Sequence, residues 1–422
     1  MSKAIAILLW FLLPAIAASQ NSGAKPATLN ECIDAALHYN PSISEAQNEV
    51  RIAELSYKTA EGGLYPTVSA DASGGLSDTY RLGNNYRTGN ASITANQVIW
   101  QKGNVRASIN EAGNMHKSAE LSLKSKRADI TWAVKTAFLN CLLQDQLFSV
   151  SLNNVSKARL FLEYARERYK MGVARKSDVL KAESDLSQAE YESANYKNKA
   201  SQSRNELVML TGLSQDNLVS LEQPVWNEGL AISAYDSLLD LAIKNYPDLL
   251  ALQNMELAQK ERTQQANAAM YPQLSVKGGY DWSYNPVLKD QKGWYTVAAL
   301  RWDIFSGNAR RHRAQAEMVR ELVYKNQTEQ LKTFLVKEIS NTLIAIKEAE
   351  EKIALSLRLM ASTSENLEIA KGQYQAGTGS MLELTDARID DLSAKQKNIQ
   401  AIAAYQLAIA NLERLTNSTY DI

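Results

Sequence analysis

From Val179 onward, small and apolar residues fall at Val179, Ala182, Leu186, Ala189, Ser193, Tyr196, Ala200, Ser203, Leu207 and Leu210. Steps of three and four alternate, a seven-residue period that predicts a long helix with one packed seam. The register returns at Leu384, Ala387, Asp391, Ala394, Asn398, Ala401, Tyr405, Ala408, Leu412 and Leu415. Small side chains let partner helices approach closely, and the polar Asp391 and Asn398 predict a partly wet face. Val134, Cys141, Phe148, Val155, Leu162 and Tyr169 recur every seventh residue in a third run. No proline lies between Gly103 and Gly172, which predicts one helix of about 100 Å at about 1.5 Å per residue. Two shorter helices, about Asn30 to Ala60 and about Lys176 to Thr211, are expected to stack end to end beside it. An ordinary bundle core explains each of these residues singly, but not the lengths.

Between Pro66 and Trp100, and between Pro272 and Phe305, the helical period is lost. Leu274, Val276, Gly278, Tyr280, Trp282 and Tyr284 alternate with Gln273, Ser275, Lys277, Gly279, Asp281 and Ser283. That is the two-residue period of a strand with one apolar face. Trp294, Thr296, Ala298, Leu300, Trp302 and Ile304 give its partner a matching face. In the first half Val68, Ala70 and Ala72 alternate, but Ile93 to Trp100 does not do so cleanly. Runs of about 10 to 12 residues cross a bilayer when tilted. Tyr280, Trp282, Tyr284, Trp294 and Trp302 gather toward strand ends like a membrane aromatic girdle. A soluble β-subdomain with one buried face is the competing reading. In lipid, four strands cannot close a barrel, and an open edge leaves backbone groups unpaired, so several chains would have to pool their strands.

The same signals occur twice. Tyr39 and Pro41 answer to Tyr246 and Pro247, "LYPTVS" at Leu64 to "MYPQLS" at Met270, and "KGNVR" at Lys102 to "SGNAR" at Ser306. Tyr169, Gly172, Ala182 and Asp185 return as Tyr374, Gly377, Ala387 and Asp390, each 205 positions later. Chance would not hold one offset through successive segments, so the chain is an internal duplication rather than a solenoid. Its expected divisions are 20–212, a joint at 213–234 with Pro224 and Gly229, and 235–422.

The start of the chain is a secretory leader over residues 1–19: Lys3, an apolar run from Ala4 to Leu13, then small residues with cleavage between Ala17 and Gln20. No later run is long and apolar enough for a membrane-spanning helix. Lysine plus arginine number 46 and aspartate plus glutamate 46, a balance that argues against a nucleic-acid partner. Two cysteines, Cys32 and Cys141, are too few for a disulfide scaffold. A bridge between them and two buried free thiols both remain open. His38, His116 and His312 are far apart and lack metal-ligand spacing. No catalytic, cofactor or metal constellation is present, so the reading is of a non-enzyme without cofactors.

Over essentially the whole mature chain, the sequence resembles the TolC-like outer-membrane efflux and secretion channels. The resemblance is carried by the two "YxxG" turns followed by "DVLKA" and "ELTDA", the "YP" before each strand pair and the "GN.R" after it. It implies a mainly α fold with a transmembrane β portion, a homotrimer with a twelve-stranded barrel in outer-membrane lipid, and an α-helical tunnel through the periplasm. A periplasmic adaptor and an inner-membrane transporter are the implied partners, and drug, metal and protein cargo are not divided. Gly172 and Gly377 would cap the helical hairpins at the periplasmic tip, with Val173, Ala174, Arg175, Lys176, Thr378 and Gly379 meeting the adaptor. Glu383 and Asp386 would ring the pore entrance, favouring cations and raising one another's pKa by like-charge repulsion. Asp178 and Tyr374 match a pair that holds the closed tip by hydrogen bonding. Gly379 departs from relatives with a bridging arginine there, and Arg175 or Lys176 would take its place. A periplasmic adaptor would show one hairpin between lipoyl-like halves, and a structural coiled-coil envelope protein would not need amphipathic strands.

Overall fold

The computed structural model describes residues 26–77, 86–218, 220–223, 234–285 and 289–418. The leader expected over 1–19, and residues 224–233 of the expected joint, lie outside the described residues. The first half runs α1 (Leu29–Tyr39), α2 (Pro41–Glu61), β1 (Thr67–Ser77), β2 (Tyr86–Trp100), α3 (Asn104–Lys170) and α4 (Lys176–Thr211). The order then returns as α5 (Tyr235–Asn245), α6 (Pro247–Ala268), β3 (Gln273–Asn285), β4 (Lys289–Arg301), α7 (Ala309–Ala376) and α8 (Met381–Thr416).

Pro41 and Pro247 open α2 and α6, where a missing N–H costs nothing but the preceding helix must stop. The Asn40 side chain caps α2 by accepting from the Ser42 N–H at 3.0 Å. The helices α3 and α7 span 67 and 68 residues, about 100 Å each. Helix α4 folds back on α3 and α8 on α7; α2 packs on α3, and α6 lies against both α3 and α7. Both long helices end in the same six-residue bond pattern. Gly172 (φ 75) and Gly377 (φ 82) take the left-handed conformation that glycine adopts without a Cβ penalty. The Val173 and Thr378 N–H groups then close on the Arg168 and Gln373 carbonyls at 3.0 Å each.

The strands form one antiparallel sheet in the order β1-β2-β3-β4. The β2–β3 pairing, with Ile93 opposite Tyr280, joins the two halves. The register slips between Val98 and Trp100, and a slip of one residue swaps the faces. This bulge breaks the alternation at the end of the stretch Ile93 to Trp100, while the register from Ile93 to Val98 is regular. Strand β4 ends at Arg301, so Trp302 and Ile304 lie beyond the strand whose face they were expected to extend. The chain there is already turning toward α7, and the Trp302 Nε1–H donates to the Met270 carbonyl at 3.2 Å.

The seam positions of α4 and α8 are buried or half-buried, yet Asp391 and Asn398 do not make a wet face. Asp391 is buried and takes the Lys157 and Lys395 ammonium groups at 2.9 and 2.8 Å. Asn398 accepts from the Ser356 hydroxyl at 3.0 Å. The third run departs at its end: Tyr169 is exposed, whereas its repeat mate Tyr374 is buried. Among the described residues, Arg168 lies over the Tyr374 ring, and Tyr169 has no such cover.

Cys32 and Cys141 are free and buried in one cluster with Val134, Phe138 and Leu207. Burial pushes each thiol up to about 11, with Glu31 adding at Cys32. Thiolate is the reactive form, so native protein at pH 8 is expected to react with a maleimide at least about a hundredfold more slowly than a free thiol. In denaturant both cysteines should label. Rapid labelling of the folded protein would contradict this packing.

Candidate functional site

The ends of the two hairpins lie side by side. Phe161, Leu162 and Ala165 of α3, Ala182 of α4, Leu367 and Tyr374 of α7, and Leu384 of α8 share one apolar cluster. Arg168 crosses between the hairpins: its Nη1–H donates to the Tyr374 carbonyl, and its guanidinium lies 4.9 Å from the centre of the Tyr374 ring. Burial pushes the Tyr374 phenol above its ordinary pKa; Arg168 opposes this and Asp178 adds to it. The phenol oxygen has no hydrogen-bond partner among the described residues.

The two glycines of the second turn make the close approach possible. A Cβ on Gly377 would sit 3.2 Å from Arg168 Nη2, and one on Gly379 would sit 3.0 Å from Gln373 Cβ. A side chain at 379 would therefore push the turn off the end of α7. At the turns, Arg168 makes a polar contact between the hairpins of one chain, while the Arg175 and Lys176 side chains are exposed. Asp178 spends its carboxylate on its own helix, accepting from the Arg175 N–H at 3.2 Å. No hydrogen bond joins it to Tyr374 among the described residues. Val173 and Thr378 are exposed on the turns, and Ala174 and Gly379 are half-buried.

Helix α8 starts with a capping box: the Glu383 N–H donates to Ser380 Oγ at 3.2 Å and the Ser380 N–H to Glu383 Oε2 at 2.8 Å. Within the single chain these bonds hold the Glu383 carboxyl below its ordinary pKa. Glu383, Asp386 and Asp390 are all exposed at spacings of three and four, one face of the helix. In the first hairpin the matching positions are Asp178, Lys181 and Asp185, and Lys181 neutralises Asp185 at 2.7 Å. Only the second hairpin presents an unbroken acidic face.

A buried polar layer further along was not expected from the sequence. The Thr385 hydroxyl donates to Asp185 at 2.8 Å, and Arg388 donates to Asn154 Oδ1. Thr385 and Arg388 each follow a seam residue by one position, so they form a second buried face that a single seven-residue seam does not report. His38 and His312 make local contacts on α1 and α7. Among the girdle aromatics, Tyr280, Tyr284 and Trp294 are exposed in the single chain, Trp282 lies against Gly89, and Trp302 sits at the foot of the sheet.

Residues 32–213 and 238–418 match the outer membrane efflux protein family. The chain is 21% identical over 383 residues to the probable efflux pump outer membrane protein TtgC of Pseudomonas putida, covering 87% of this chain and 78% of that protein. In fold it is similar to the outer membrane protein VceC from Vibrio cholerae, with a TM-score of 0.83 at 17% identity over 92% of this chain and 96% of the other. The Campylobacter jejuni CmeC outer membrane channel gives 0.84 at 16% identity over 93% and 86%. The family match takes in both halves, with the strand pairs and the hairpins. This chain belongs to the outer membrane efflux protein family, a family of transport channels set in the outer membrane and reaching into the periplasm.

Proposed function

We propose that three copies of this chain close into one duct that serves as the exit of an efflux pump. A barrel pooled from the three sheets would cross the outer membrane and a helical tunnel would reach into the periplasm. A periplasmic adaptor meets the hairpin turns at Gly172 to Lys176 and Gly377 to Gly379, and an inner-membrane transporter feeds the assembly. The relatives' names favour small-molecule efflux over polypeptide secretion.

One observation carries this reading. Positions buried where the two halves meet inside one chain have repeat mates that are bare. Leu139 is 2% exposed and Ile344 61%; Ala258 is 3% exposed and Ile52 63%; Thr385 is 1% exposed and Leu180 56%. The bare set lies on α2 and α7, which adjoin the free β1 and β4 edges in the chain, and on α4. A neighbouring copy that repeats the internal junction would cover all of them and pair β4 with β1. The same junction repeated around an axis is a heterologous interface that closes into a ring.

The acidic face of α8 is assigned to the duct entrance, with Glu383 and Asp386 repeated around the axis to favour cations. The tip is held by the Arg168–Tyr374 clasp between the hairpins, with Asp178 as the nearby charge.

Ile344→Asp would bury an unpaired charge at about 3–5 kcal/mol. The trimer recovered in detergent, measured by light scattering, should fall by about tenfold or more; a normal trimer yield would contradict the interface. In planar bilayers, Glu383→Gln with Asp386→Asn should lower the cation-to-anion permeability ratio severalfold, and an unchanged ratio would remove both residues from the pore. Arg168→Ala should raise single-channel conductance and Tyr374→Phe should not, because the ring and carbonyl are held while the hydroxyl is not. Equal conductance of Arg168→Ala and the parent would place the closure elsewhere.

A further inference from the structure

The sheet contains a template for its own closure. Thr67 faces Asn96 across β1 and β2, and Gln273 faces Arg301 across β3 and β4. Strand β3 therefore repeats β1 at an offset of 206, the step from "LYPTVS" to "MYPQLS", and β4 repeats β2 at 205. From "KGNVR" to "SGNAR", just past the strands, the offset is 204. The lost step matches the bulge of β2 between Val98 and Trp100.

These offsets carry the β2–β3 register over to β4 of one copy and β1 of the next. Asn96 opposite Lys277 becomes Arg301 opposite Asp71, and Ala95 opposite Gly278 becomes Leu300 opposite Ala72. Thr94 opposite Gly279 becomes Ala299 opposite Ser73. The faces agree. Leu300 and Ala72 fall on the side of Ile93 and Tyr280, and Arg301 and Asp71 on the polar side with Thr94 and Lys277.

Asp71 is the single charged residue of β1, and Arg301 is the single one in β4 after Lys292. Both are exposed in the single chain. Asp71 receives only a long bond, from the Ser69 hydroxyl at 3.4 Å. Arg301 reaches Asp303 through Nε at 3.6 Å, but Asp303 is bound by Arg310. Lys277 and Asp281 of β3 share the polar face with Asp71 but lie two strands away, about 10 Å or more.

Packing alone leaves the register open. A slip of one residue would turn Leu300 to the polar side. A slip of two would set Leu300 against Ala70 or Gly74, both as small as Ala72, and the apolar face would accept either. The same slip would set Arg301 against Ser69 or Ser73 and leave both charges unmatched.

We propose that β4 of one copy pairs with β1 of the next with Arg301 opposite Asp71, and that this ion pair fixes the register in which the barrel closes. Opposite charges facing across an antiparallel pair favour that pairing, and like charges oppose it. In a wet lumen the pair adds little affinity. Its effect is on the choice of register, and register sets strand tilt and bore. The proposal rests on the duct reading, which supplies the neighbouring copy but not the register.

The test is disulfide trapping in membranes treated with a mild oxidant. The facing combinations are Leu300→Cys with Ala72→Cys, and Ala299→Cys with Ser73→Cys. The slipped ones are Leu300→Cys with Ala70→Cys or Gly74→Cys, and Ala299→Cys with Gly75→Cys. The two facing pairs are adjacent, so one is of the non-hydrogen-bonded kind, whose side chains lie closer. At least one facing combination should join chains on a denaturing gel about tenfold more than any slipped one. The parent, whose two thiols are buried, is the blank. Asp71→Lys sets two cations face to face and should cut the facing product about tenfold. Arg301→Glu in the same chain should restore it.

Equal or greater linking at a slipped combination, no link at either facing one, an unchanged product with Asp71→Lys, or no recovery on charge exchange would each overturn the proposal. Light scattering of the same protein in mild detergent judges the duct separately. A trimer linked at slipped positions rejects the register and keeps the duct, and single chains reject both.

Discussion

In the hydrocarbon layer there is no water to satisfy a backbone N–H or C=O, so a sheet that enters it must have no free edge. This chain supplies four strands in the order β1-β2-β3-β4, and each outer strand has a neighbour on one side only. The arrangement of the rest follows from closing those edges. Helix α2 leads into β1 and α7 leads out of β4, so pairing β4 of one copy with β1 of the next also brings α7 of one against α2 of the other. The internal duplication makes this self-consistent, since β2–β3 and α3–α6 already perform the same junction within the chain.

The internal junction and the junction proposed between copies differ in chemistry. Inside the chain it is rich in paired polar groups: Asp129 with Arg414 at 2.8 Å, Asn154 with Arg388, and Asp185 with Thr385 at 2.8 Å. The repeat mates of Asp129, Arg414, Asn154 and Thr385 are Phe334, Met209, Leu359 and Leu180, all of them exposed. Such polar pairs add little net stability, but they penalise a wrong register. That suffices where covalent connection keeps the surfaces together. Separate copies must also offset the entropy of association, and apolar area provides for that at about 25 cal/mol per Å².

Much of the architecture was legible in the sequence because its causes are local. Gly172 and Gly377 end the long helices for a reason visible at single positions, and the seams of α4 and α8 follow a period that one helix imposes. What stayed hidden depends on a neighbour. Tyr169 and Tyr374 look alike in sequence, yet only Tyr374 is covered, because Arg168 has no counterpart reaching the first tip within the chain. Asp391 read as a break in a dry seam, and its compensating Lys157 comes from a helix more than 200 positions away in sequence. The irregular stretch Ile93 to Trp100 hid a bulge whose parity change only the β3 partner reveals. Glu383 was read as a pore charge, and the structure adds a second role, capping α8 together with Ser380.

The most direct measurement of the central claim is the mass of the intact particle released from membranes in mild detergent, read by native mass spectrometry. Closure of the free edges between copies predicts a particle of three chains, with single chains appearing only on denaturation. A stable particle of one chain would contradict the account, because two strand edges and a bare α7 face would then have no partner.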